Sequence, residues 1–119
     1  MNVGLVARGI FFAALALGLT TNAAANVQCV GTVNSSYVLT DGTVRIVASW
    51  RNDHTTICDM NTDWNGITPD VCLAWLAKID AAVSLNKSLV VHYYTASDCA
   101  TLPVYGSSVA PNFVMLLNT

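Results

Sequence analysis

The sequence has no glutamate, two histidines and five basic residues, and charged side chains make up only 10% of its 119 positions. Without glutamate, the paired-glutamate arrangements of acid–base catalysis are excluded. There is also no glycine-rich phosphate loop and no nucleophile elbow. The four cysteines are too far apart in sequence for a C-x-x-C redox or zinc motif, and only His54 and His92 could add ligands, so no metal or other cofactor is expected. No basic cluster exists to attract nucleic acid or an anionic membrane. The longest apolar run, Gly9 to Leu19, falls short of the roughly 20 residues a membrane span needs.

What is present begins with MNVGLVARGIFFAALALGLTTNAAA, a stretch with one positive charge at Arg8, an apolar run, and small residues at Ala23 and Ala25. This is the pattern of a secretory signal peptide, residues 1–25, cut after Ala25, so the chain is expected to be secreted or periplasmic with no membrane span in its mature part. Residues 26–119 then form a single domain of 94 residues, with four cations against seven aspartates and a formal charge of −3. A core of that size is marginal alone. In an oxidising compartment Cys29, Cys58, Cys72 and Cys99 are therefore expected to form two disulfides.

The most clearly marked element is a helix from Thr68 to Asn86, TPDVCLAWLAKIDAAVSLN. Thr68 suits the N-cap, Pro69 the first helical position, and Asp70 the positive end of the helix dipole, while Asn86 can close the last turn in a left-handed conformation. Cys72, Trp75, Leu76, Ile79 and Val83 recur at spacings of three and four, which predicts one buried face. The opposite side carries Ala74, Ala77, Ala81 and Ser84 where a monomer would show charge, and this suggests a packing surface.

Strands are expected on either side of the helix. A long or interrupted first strand runs from Val27 to Leu39, Asp41-Gly42 marks a hairpin turn, and Thr43–Trp50 and His54–Met60 follow. After the helix come Ser88–Thr95 and, beyond a long loop, Asn112–Leu117. His92 is expected to be a partly exposed strand residue. The order β-β-β-α-β-β predicts a mainly β domain with one helix, a small OB-like Greek-key barrel, with a half-open sheet carrying the helix on one face as the alternative. A helix of about 17 residues and the strand returning along it span similar distances, so Cys99 is expected back beside the helix start. That pairs Cys72 with Cys99 and leaves Cys29 for Cys58.

The stretch TTICDMNTDWNGITPDVCLAWLAKIDAAVSLNKSLVVHYYTA resembles part of the pentameric binding subunits of A–B toxins, the subtilase-cytotoxin and pertussis-like group. In that group a cysteine-bearing strand, a polar loop, a helix and a Tyr-Tyr strand follow in the same order. The resemblance implies an OB-fold homopentamer, a cell-surface glycan as ligand, and an enzymatic partner chain. The region before Cys29 is shorter here and the cysteine arrangement differs, so no sugar-contacting serine carries over.

From the residues themselves, the chain reads as a binding module and not an enzyme. Aromatics at strand ends and in loops can stack on sugar faces while their polar edges stay wet. Trp64 with Asn61 and Asp63 forms the leading polar-aromatic cluster, followed by Tyr37 and Trp50. Adjacent Asp53 and His54 are not expected to converge as a catalytic pair. The alternative function is a small exported inhibitor or protein-interaction domain.

Overall fold

The computed structural model describes residues 26–118, so the expected leader lies outside the described residues. The elements are β1 (Val27–Gly31), β2 (Val33–Val38), β3 (Thr43–Ala48), β4 (His54–Asp59), α1 (Pro69–Leu85), β5 (Leu89–Tyr93) and β6 (Phe113–Leu116). They form two three-stranded antiparallel sheets, β1-β5-β6 and β2-β3-β4. The fold is thus mainly β with one helix, as the patterning predicts.

The expected first strand is in two pieces because it serves both sheets. It crosses from one to the other at Thr32, whose amide donates to Ser49 Oγ and whose carbonyl accepts from the Ser49 amide. A side chain on Gly31 would collide with the Ser49 hydroxyl, so glycine permits this close crossing.

The β2–β3 turn sets which side chains face solvent. The Gly42 amide bonds the Leu39 carbonyl at 2.9 Å, the Leu39 amide bonds the Thr43 carbonyl at 2.8 Å, and Gly42 has φ +97°. This is a three-residue loop, Thr40-Asp41-Gly42, ending in a left-handed glycine. The Thr43 amide donates to Asp41 Oδ1, which holds this exposed carboxyl below its ordinary pKa.

The helix has the predicted caps. Thr68 Oγ1 accepts from the Val71 amide, and Asn86 sits at φ 52° and ψ 48°. Its buried residues are Cys72, Trp75, Ile79 and Ala82. Val83, expected in the core, is 45% exposed, because the buried face is centred between Trp75 and Ile79 and Ala82 takes its place. The helix packs mainly against β6, β2 and β4, and its buried side chains share one core with Val44, Ile46, Ile57, Leu89, Val91 and Val114.

All four cysteines are in disulfides, but the pairs differ from the expected ones: Cys29 joins Cys99 and Cys58 joins Cys72. The helix packs less against β5, which the expected pairing set beside it, than against β6, β2 or β4. Its N-terminal turn sits beside the inner face of β4, with Cα atoms of Cys58 and Cys72 5.4 Å apart, while β1 lies next to β5 and so meets the loop that follows β5. Two disulfides fit an oxidising compartment. No helix among the described residues is long and apolar enough to cross a membrane.

His92 is also unlike its expectation, being buried at 6% exposure. Flanked by β1 and β6, its ring stacks on Phe113 at 4.9 Å and hydrogen-bonds Asn112 and Asn26.

Candidate functional site

Two irregularities decide what the outer face of β2-β3-β4 displays. In β3, Val44, Ile46 and Ala48 point inward, so Arg45 points outward. The three-residue turn pairs Tyr37 with Arg45, where a two-residue loop would have paired it with the inward Ile46. A one-residue slip exchanges the two faces of a strand, so this turn is what puts Tyr37 outside.

The second irregularity is a bulge in β4. Val44 pairs with Cys58 but Arg45 pairs with Thr56, leaving Ile57 as the extra residue. Strict alternation from the inward Cys58 would turn Thr56 and His54 inward as well. The bulge reverses the parity, burying Ile57 with Cys58 and bringing Thr56 and His54 beside Arg45.

On this face the Tyr37 hydroxyl lies 2.7 Å from His54 Nδ1. The imidazole stacks on Tyr105 with centroids 5.0 Å apart and planes 19° from parallel. The Arg45 guanidinium lies 5.3 Å from the same Tyr105 ring, and its Nε donates to Thr56 Oγ1 at 3.0 Å. The result is a platform of two phenols, an imidazole and a cation, with Tyr105 45% exposed.

Tyr105 comes from the loop of residues 94–112 and has φ +52°, in the left-handed region that costs a non-glycine residue about 1–2 kcal/mol. Its backbone is held from several sides. Its amide donates to the His54 carbonyl at 2.8 Å in a parallel bridge beside Thr55, and its carbonyl accepts from Thr56 Oγ1 at 2.9 Å and Ser108 Oγ at 2.8 Å. Ser108 Oγ in turn accepts from the Thr56 amide at 2.9 Å. Strain maintained by surrounding bonds at one aromatic is a mark of a functional position.

The residues expected to form the site are placed differently from one another. Tyr37 is in the platform. Trp64 packs partly against the core. It and Ile67 exchange backbone hydrogen bonds at 3.0 and 2.9 Å across Asn65-Gly66, both with positive φ, and Ile67 is buried. Asn61 donates through Nδ2 to the Asp41 carbonyl at 2.7 Å and through its amide to Asp59 Oδ1, tying this loop to the β2–β3 turn. Asp63 is exposed beside it. Trp50 packs against the core near Gly31, its Nε1 buried without a partner. The structure therefore does not gather these five residues into one surface.

Asp53 Oδ1 accepts from the backbone amide of His54 at 2.8 Å, so this carboxylate orients the strand start and not the imidazole. Among the described residues, no group of three or more histidine, cysteine or aspartate side chains is placed to hold a metal. Arg45 and His54 were missed as site residues. The outward position of Arg45 was readable from the alternation of β3, but the β4 bulge left no sequence signal.

No family model matches the chain, and no characterised protein or solved structure matches it.

Proposed function

We propose that this chain is an exported glycan-binding subunit that uses the Tyr37–Arg45–His54–Tyr105 platform to hold a sugar. The observation that carries this is Tyr105, an exposed aromatic kept in a strained backbone conformation and stacked beside an imidazole and a guanidinium. Aromatic faces take the apolar face of a pyranose, while Arg45 and the imidazole offer polar groups to its hydroxyls.

The same proposal takes the two sheets as an OB-type barrel. The Val27–Val38 run serves both sheets, and the parallel bridge from Thr55 to Tyr105 draws the free side of β4 toward the segment leading to β6. On that reading β3 and β4 are the second and third strands of the barrel, and the platform they carry corresponds to the surface OB-folds use for oligosaccharides. A glycan array with the mature wild-type chain tests it. Binding that Tyr105→Ala abolishes and Trp64→Ala spares is the expected result, and an array with no ligand for the wild type removes the reading.

Assembly into a ring, with a pentamer favoured and an enzymatic chain as the carried partner, belongs to the same proposal. It is supported by α1, where Leu73, Ala74, Ala77 and Leu85 are exposed with few charges between them. It is supported also by β2 and β6, each bonded on one side only among the described residues. Two different free edges on one protomer make a head-to-tail contact, which closes into a ring when the rotation allows. Light scattering that finds only a monomer at high micromolar concentration counts against it.

The alternative, an exported inhibitor, is favoured by the multiple fastening of the 94–112 loop, since a rigid loop is also what blocks a partner's cleft. A silent glycan array together with a monomer in solution would move the reading there.

A further inference from the structure

The loop of residues 94–112 contains a cavity of about 200 Å³, open on one side. It is lined by Leu102, Pro103 and Val109 and by the polar residues Thr95, Ser97, Thr101 and Asp98. Three ties outside the cavity hold the loop in shape: the Cys29–Cys99 disulfide, Arg51 Nε donating to the Leu102 carbonyl at 2.8 Å, and the Tyr105 amide bonded to His54. The cavity is therefore preformed and needs no ordering of the loop on binding.

Its size and lining restrict the occupant. The volume equals about six or seven waters at roughly 30 Å³ each, and lies below the 300–1,000 Å³ range of drug-sized pockets. That is the scale of a single six-membered ring and not of a longer oligosaccharide. A lining that mixes hydroxyl-bearing and apolar side chains suits a ring with one apolar face and polar edges. Asp98 Oδ1 accepts from the Ala100 amide at 3.1 Å and Oδ2 from Thr101 Oγ1 at 3.2 Å, so each oxygen keeps an acceptor site for a ligand. No lysine, arginine or histidine is among the lining residues, so a carboxylate on the ligand would face Asp98 uncompensated.

We infer that this cavity is a second carbohydrate subsite, separate from the platform, for a single uncharged or amine-bearing pyranose ring. The inference rests on the reading of the chain as a glycan binder but not on the platform itself. Its charge preference is the reverse of the platform's: Asp98 favours an amine, whereas Arg45 favours acceptors and anions.

The test is an amide NMR titration of the oxidised mature chain with glucosamine, glucose and glucuronate, which differ in charge on a common ring. Glucosamine and glucose should shift the amides of residues 95–102 with millimolar affinity, and glucuronate should not. Asp98→Asn, which keeps a carbonyl acceptor in place, should weaken glucosamine about tenfold and leave glucose nearly unchanged. Ser97→Phe, at an exposed position, should block both sugars. Shifts with glucuronate equal to those with glucosamine, no shift with any sugar, or shifts that survive Ser97→Phe would each overturn the inference. The two sites fail separately. Shifts in residues 95–102 that persist in Tyr105→Ala keep this subsite even if the array is silent, whereas an array-positive protein whose loop does not respond keeps only the platform.

Discussion

The loop between β4 and α1 holds Trp64, the loop between β5 and β6 holds Tyr105 well beyond Tyr94 at its start, and each loop is secured by a disulfide. Cys58–Cys72 brackets the first, and Cys29–Cys99 ties the second to β1. Yet Trp64 lies against the core and Tyr105 faces solvent. The difference comes from the backbone around each ring. Asn65-Gly66 folds Trp64 back onto Ile67, which belongs to the core, while two hydroxyl bonds to the Tyr105 carbonyl hold that residue over the outer face of the sheet, where its ring stacks on His54 and stays half exposed. An aromatic in a polar loop is a contact only if the loop's own hydrogen bonds turn it outward.

The largest break in this comparison comes from the disulfides themselves. In the chain-entropy picture a bridge closing 70 residues is worth about 4.4 kcal/mol and one closing 14 about 3 kcal/mol. Replacing Cys29 and Cys99 by serine should therefore destabilise the domain more than replacing Cys58 and Cys72. Denaturant titration of the two double variants reads the order directly, and equal losses would mean that native strain or residual unfolded structure outweighs loop length.

The rings come next. Trp64→Ala should cost about 2 kcal/mol of stability, since a part-buried indole loses less than the 3–5 of a fully buried one. It should leave ligand binding unchanged. Tyr105→Ala should do the opposite, weakening binding by about 1–3 kcal/mol as the loss of a central aromatic anchor. Thermal melts and binding isotherms on the two variants give a crossed pattern if the two loops differ as described, and parallel losses if they do not.

The elements themselves were legible because their signals are local. The helix was bracketed by Thr68, Pro69 and Asn86, and β5 by its β-branched run. The disulfide pairs were not, because they depend on which sheet each strand joins, and nothing around Cys29 announces that β1 pairs with β5. The platform was half legible. Asp41-Gly42 marked the hairpin, but whether its loop has two or three residues decides whether Tyr37 faces Ile46 or Arg45. The bulge at Ile57, which turns His54 outward, follows from burying Ile57 and Cys58 together, and that is a tertiary demand. Trp64 was favoured by composition alone, although Asn65-Gly66 was a usable turn signal pointing it at Ile67.

A smaller effect separates strain from contact at Tyr105. Glycine adopts φ +52° without penalty, so Tyr105→Gly should recover up to about 1 kcal/mol of stability that Tyr105→Ala does not. Both should lose the ligand. A glycine variant no more stable than the alanine variant would show that the surrounding bonds, and not the backbone conformation, set the energy of this residue.

The smallest effect sets Tyr105 against Tyr93, the last residue of β5. Tyr93 is 1% exposed with a hydroxyl that has no hydrogen-bond partner, and burial pushes its pKa well above the ordinary value near 10. Between the unfolded and folded values the unfolded chain releases a proton that the folded chain keeps, so stability should fall as pH rises above about 10 and stay flat below it. Tyr93→Phe removes both the unpaired hydroxyl and the titration. At pH 7 it should be neutral or stabilising by less than about 1 kcal/mol, because no bond is broken and a buried polar group is removed. Above pH 10 it should unfold later than the wild type. Melting curves across that range decide it. A variant that loses stability at pH 7 would mean that the Tyr93 hydroxyl has a partner, such as a buried water, and a wild-type alkaline slope retained in the variant would assign that titration to another group.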